Sequence, residues 1–139
     1  MLPVRPAGIA ALSIFFAFGT TMSGLAVISL AFPGDPLESM WRINPEGRAG
    51  LGSLGMSGVA LMAVVSAACF LTAAGLWCGK EWGRRLAIAI LVVNTIADVS
   101  NGVLAGDLRT LVGVPVAGTM LYYHFRSERG RAFFTVRNH

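Results

Sequence analysis

Residues 49–79 read AGLGSLGMSGVALMAVVSAACFLTAAGLWCG, an unbroken uncharged run between Arg48 and Lys80. Crossing a bilayer takes about 20 predominantly apolar residues, in a range of about 17–25. A helix over 51–77 fits inside this run with room to spare. Working outward, a second uncharged run extends from Pro6 to Gly34. It predicts a helix over 8–32, closed by Pro33-Gly34, which cannot continue it. On the C-terminal side a third helix is expected over 86–106, after Arg84-Arg85, interrupted by the single charge of Asp98. A fourth and shortest helix is expected over 108–125. The pattern predicts an all-α fold: one membrane-embedded antiparallel bundle of four transmembrane helices, with a basic cytoplasmic tail over 126–139.

Composition agrees with a lipid solvent. Of the 139 residues 55% are hydrophobic and only 13% charged, with a mean hydropathy of +0.66. Soluble domains average about 25% charged residues. A chain this short has too little interior to hide the surplus of apolar side chains, which would otherwise form adhesive surface patches. The first uncharged run also exceeds the roughly 7–15 residues of a signal-peptide core, so it is read as a retained helix. The net charge of +4 does not point to nucleic acid, because the charges lie between and outside the apolar segments and no binding motif accompanies them.

Lys and Arg set the orientation. Arg5, Lys80, Arg84, Arg85, Arg126, Arg129, Arg131 and Arg137 fall on one side, eight in all, against Arg42, Arg48 and Arg109, three, on the other. Positive residues favour the cytoplasm. The expected location is therefore the bacterial inner (plasma) membrane, with both termini cytoplasmic. Trp77 and Trp82 bracket the inner ends of helices two and three, and Tyr122 and Tyr123 that of helix four, as interfacial anchors.

In the first outer loop, Asp35 can cap a short helix, Pro36 can take its first position and Glu38 can reach back. Leu37, Met40 and Trp41 share one face, so a short helix lying in the outer headgroup region is expected, ending in a turn at Asn44-Pro45-Glu46-Gly47. The remaining loops are short, which makes helices two, three and four antiparallel neighbours.

The third helix holds the main site candidates. Asn94, Asp98 and Asn101 fall at i, i+4 and i+7, on one helical face. A carboxylate near mid-membrane costs at least about 2.5 kcal/mol and usually faces the bundle interior. No Lys, Arg or His lies within a span to neutralise it. Asp98 is then protonated, hydrogen-bonded by amides and hydroxyls, or holding a cation. Thr20 and Thr21 on helix one, Ser66 on helix two and Thr119 on helix four lie at similar depth, and with Asp98 they form a candidate polar layer. Two readings stay open: interhelical glue, or a small-ligand, ion or proton site. Pro115 withdraws the N–H that would bond the Leu111 carbonyl, so a kink is expected in helix four.

Helix two carries small residues at Ser53, Ser57, Ala60, Ala63, Ala67 and Ala74, a stripe that lets a neighbouring backbone approach. Thr20-x-x-x-Gly24 of helix one offers a matching surface, and a second copy of the chain is the alternative. The tail, with Phe133-Phe134 among its arginines, is expected to lie on the anionic leaflet. Cys69 and Cys78 lie about 13 Å apart along one helix, too far for a disulfide. His124 and His139 are solitary, so no metal site is expected. No Ser-His-Asp order, HExxH, CxxC, phosphate loop or paired catalytic acids occurs, and neither a catalytic residue nor a cofactor is expected.

From helix two onward the chain resembles a group of uncharacterised small four-helix bacterial membrane proteins. The resemblance rests on Gly75-Leu76-Trp77, Trp82-Gly83-Arg84-Arg85, the Asn94…Asp98…Asn101 face, Gly106-Asp107-Leu108-Arg109-Thr110, Gly113-Val114-Pro115 and the closing Ser127-Glu128-Arg129-Gly130-Arg131-Ala132-Phe133-Phe134. It covers about the last 65 residues and implies a four-helix membrane fold without an activity. The function expected from these features is non-enzymatic: an accessory subunit of a larger membrane complex, or a homo-oligomer, with membrane lipids as partners. The alternative is a small-solute, ion or proton conduit using the Asn94/Asp98/Asn101 face.

Overall fold

A computed structural model of the protein describes residues 6–34, 36–104 and 113–126, and every regular element among them is helical. Helix α1 spans Ala7–Ala31. Its hydroxyl side chains do not interrupt it, because each turns back on the helix. Ser13 Oγ donates to the Ile9 carbonyl at 2.9 Å, Thr20 Oγ1 to Phe16 at 2.9 Å, Thr21 Oγ1 to Ala17 at 3.1 Å and Ser23 Oγ to Gly19 at 2.6 Å. An i−4 bond of this kind satisfies a hydroxyl with no help from solvent. After Phe32, whose N–H still reaches the Ile28 carbonyl, Pro33 and Gly34 end the helix.

A short 3-10 helix follows over Pro36–Arg42, where the sequence predicts a short helix. Glu38 does reach back, its Oε2 accepting from the Gly34 N–H at 3.2 Å; Asp35 lies outside the described residues. Trp41 Nε1 donates to Ser29 Oγ at 3.0 Å, tying the segment to the end of α1, and Ser29 is fully buried.

The next stretch corrects two expectations. Asn44-Pro45-Glu46-Gly47 is not a turn but the start of helix α2, Pro45–Ser53. Asn44 is its N-cap, with Oδ1 accepting from the Gly47 N–H at 2.8 Å, and Pro45 takes the first helical position, where a missing N–H costs nothing. The long apolar helix therefore starts later than residue 51. Gly55, at φ +54°, breaks the chain in a left-handed conformation, and α3 runs over Met56–Trp77.

Helix α3 closes on Gly79, at φ +64°. The Lys80 N–H bonds the Gly75 carbonyl at 2.8 Å and the Gly79 N–H bonds Leu76 at 3.1 Å, the paired bonds of a Schellman cap. Helix α4 then spans Glu81–Leu104. Its start at residue 81 rather than 86 is the third correction: Arg84 and Arg85 belong to the helix, since both pair with Glu81 one turn earlier. Helix α5 covers Gly113–Arg126. Residues 105–112 and those beyond Arg126 lie outside the described residues.

The chain divides into two compact units. In the unit Phe15–Leu71 the buried side chains include Phe16, Ser23, Ala26, Ser29 and Cys69. In the unit made of Met1–Ile14 and Thr72–His139, α4 packs along α5, and Ile9, Leu12, Thr72, Leu76, Ala87, Leu91 and Ala117 are buried.

Helices α1 and α3 are long and apolar enough to cross a membrane, with mean hydropathies of 1.8 and 2.2 over their most apolar windows. Only 28% and 22% of those windows are buried within the chain. Phe18, Val64 and Phe70 are each more than half exposed. Apolar helices left so uncovered differ from the core helix of a soluble protein, which buries its apolar face against its own fold. Among the described residues α1 and α3 are the two helices that are long and apolar enough to cross a membrane; α4 carries Asp98 along its length, and α5 has 14 described residues.

Candidate functional site

The strongest sequence candidates lie on α4. Asn94 and Asp98 sit four residues apart on one face, as their spacing dictates. Asn94 is exposed, among exposed Val92, Val93 and Ile96, while Asp98 is half-buried. Asn101 belongs to α4 by its backbone, and its side chain lies outside the described residues. Between them Thr95 is closed on the helix itself, its Oγ1 donating to the Leu91 carbonyl at 2.7 Å.

Thr119, on α5, is exposed and donates to the Pro115 carbonyl at 2.7 Å. Pro115 stands in the first turn of α5 as described, and the Leu111 carbonyl it was expected to free lies outside the described residues.

Thr20, Thr21 and Ser66 belong to the Phe15–Leu71 unit. The two threonine hydroxyls are satisfied within α1, but Ser66 crosses to it: its Oγ donates to the Thr20 carbonyl at 3.1 Å. The contact is possible because α1 presents glycine there. A methyl group on Gly24 would stand 3.6 Å from Ser66 Oγ, and one on Gly19 would stand 3.5 Å from Cys69 Sγ. Beside this seam runs a shallow open groove of about 390 Å³, with Thr20, Gly24 and Val27 on one wall and Ala63, Ala67 and Phe70 on the other. The Thr20-x-x-x-Gly24 surface thus meets α3 of the same chain, through Ser66 and Cys69. Ala60, Ala63 and Ala67 of the small-residue stripe stay exposed next to the contact.

The sequence reading missed a close helix contact at the α3–α4 turn. A methyl group on Gly83 would stand 2.6 Å from Gly75 Cα, and one on Gly75 would stand 2.9 Å from the Trp82 ring. The signal was a glycine in each helix, eight residues apart, flanking a third at the turn. Next to it Arg84 makes a two-pronged contact with Glu81, with Nη2 at 2.6 Å and Nε at 3.1 Å from Oε1. The Arg85 Nε is 3.7 Å from the same oxygen and its side chain is 79% exposed. The hydrogen bonds from Arg84 are the chief cause that holds the Glu81 carboxyl below its ordinary pKa; with the charges of Arg84 and Arg85 they outweigh the opposing desolvation.

Chemically, these side chains offer hydrogen bonds and close backbone approach. Among the described residues no group of three or more His, Cys, Asp or Glu side chains converges, and Cys69 and Cys78 are both free thiols. Comparison with protein-family models, with curated proteins and with solved structures finds no match for this chain.

Proposed function

We propose that the chain is an integral protein of the bacterial inner membrane that crosses it four times, with both termini cytoplasmic, and that it serves as a non-enzymatic subunit assembling with copies of itself or with a larger membrane complex. The observation that carries this reading is the small share of α1 and α3 that the chain itself covers. Apolar surface of that extent must be covered by lipid or by other helices. Asn94 supports the subunit role. Its amide stands exposed amid Val92, Val93 and Ile96, and an amide facing hydrocarbon without a partner carries a cost of several kcal/mol. A neighbouring helix from another chain would supply the partner.

Mild-detergent purification from the native host tests the assembly. Stoichiometric co-purifying chains, or an oligomer of this chain, are expected; recovery of the bare monomer would contradict it. In the same preparation Asn94→Leu should loosen the assembly while leaving the monomer folded. A second reading, a small-solute, ion or proton conduit at Asp98 with Asn94 and Asn101, is favoured by the half-buried carboxyl on α4. It requires flux in proteoliposomes that Asp98→Asn abolishes without loss of fold. If Asp98→Asn lowers fold and flux equally, the acid acts as glue between helices.

A further inference from the structure

We propose that the α3–α4 turn is a docking site for the headgroup phosphate of an anionic phospholipid, an inference that rests on the membrane reading above. The argument starts with charge. Lys80, Glu81, Arg84 and Arg85 stand within six consecutive positions, three cations and one anion. Glu81 is committed to Arg84 at 2.6 Å, so that pair is neutral as a unit. Arg85 is held only loosely by the same carboxylate, at 3.7 Å, and is 79% exposed. Lys80 is exposed as well, and no carboxylate pairs with it among the described residues. The turn therefore presents two positive charges outward.

Two indoles stand beside those charges: they flank Lys80, and the second precedes Arg85 by one turn. Trp77 is 52% and Trp82 49% exposed, one at the last residue of an apolar helix and the other in the first turn of the next. Trp82 and Arg85 are three residues apart on α4 and so share a face. Exposed indole rings at the end of an apolar helix settle at headgroup depth, where one side meets acyl chain and the other meets water. The cations beside them are then placed at the level of lipid phosphates.

The platform is also built rather than loose. The Schellman cap at Gly79 fixes the chain between the helices, and the absence of a side chain at Gly75 makes the place in which the Trp82 ring sits. A phosphate bound between Lys80 and Arg85 would meet cations already held at the bilayer surface. Zwitterionic lipids present the same phosphate with an added ammonium, which two outward cations repel; this is the basis of selection for an anionic headgroup.

The test is native mass spectrometry of the full chain in mild detergent with equal phosphatidylglycerol and phosphatidylcholine. Wild type should retain phosphatidylglycerol preferentially, and Lys80→Gln with Arg85→Gln should lower that preference about thirtyfold, in line with the attraction of each of the two basic residues near an anionic surface. Lys80→Arg with Arg85→Lys should keep it. The Lys80→Gln and Arg85→Gln pair should produce the same fall in a background in which Arg129, Arg131 and Arg137 are already glutamine, which separates the turn from the basic tail. An unchanged lipid ratio in the double glutamine variant overturns the headgroup site. Each protein is first reconstituted in phosphatidylcholine vesicles: full insertion together with an unchanged ratio leaves the membrane reading standing, whereas failure to insert overturns both.

Discussion

Gly83 shows how tightly single residues decide this structure. Its Cα hydrogen faces the Gly75 backbone, and the atoms in the way of a methyl group are main-chain atoms, which cannot swing aside. Gly83→Ala should therefore cost about 1–3 kcal/mol of stability, the range for overpacking a tight contact. Thermal unfolding in detergent, followed by circular dichroism, checks it. Ser66→Ala is a milder case. It removes one interhelical hydrogen bond to a carbonyl that sits within α1, and about 0.6 kcal/mol is expected, the average for such bonds in membranes. Glu81 adds a pH-dependent term. Its carboxyl is held below the ordinary value, so its contribution is fully present above that ordinary pKa and fades as pH falls through the lowered one. The stability difference between wild type and Glu81→Gln should be present at neutral pH and vanish under acid conditions. A difference that persists unchanged in acid would mean that charge at residue 81 plays no part.

At the scale of the element, the caps do the sorting. Asn44→Ala removes the acceptor for the Gly47 N–H and should destabilise α2 by about 1 kcal/mol. Gly55→Ala places a side chain at φ +54°, where about 1 kcal/mol of strain is expected, and should lengthen α2 into α3 or weaken the break between them. Hydrogen exchange over residues 52–58 reads either outcome. The same caps explain what the sequence disclosed and what it hid. The first helix was legible to within one residue at each end, because Pro33-Gly34 is an unambiguous stop. Helix α2 was hidden because Gly47, Gly50 and Gly52 give it weak helical propensity, and because Asn-Pro opens a turn and caps a helix with equal ease. The start of α4 was hidden because a pair of arginines beside an apolar run marks a boundary as readily as a first turn, and the glutamate one turn earlier is what makes both helical. At the candidate site, the Asn94–Asp98 face followed from spacing alone. The crossing from Ser66 to Thr20 and the Gly75–Gly83 approach did not, since small residues recur throughout the chain and only tertiary contact selects among them.

At the scale of the whole molecule, the account turns on where the apolar surface of α1 and α3 goes. No polar face on either helix marks a side for water: their apolar residues are spread all around the axis. The chain buries less than a third of their most apolar windows, and in the proposed reading lipid or neighbouring helices cover the rest. The proposed four-span topology predicts that a single cysteine placed at Ser39, in a variant whose Cys69 and Cys78 are replaced by serine, is labelled by an impermeant reagent from the periplasmic side of intact cells. Labelling only after lysis would reverse that orientation. The most direct measurement of the central claim is fractionation of cells expressing the full chain, with an alkaline carbonate wash followed by detergent. The account predicts that the protein stays in the washed membrane pellet and is released only by detergent. Recovery of folded, monodisperse protein from the aqueous fraction would contradict it.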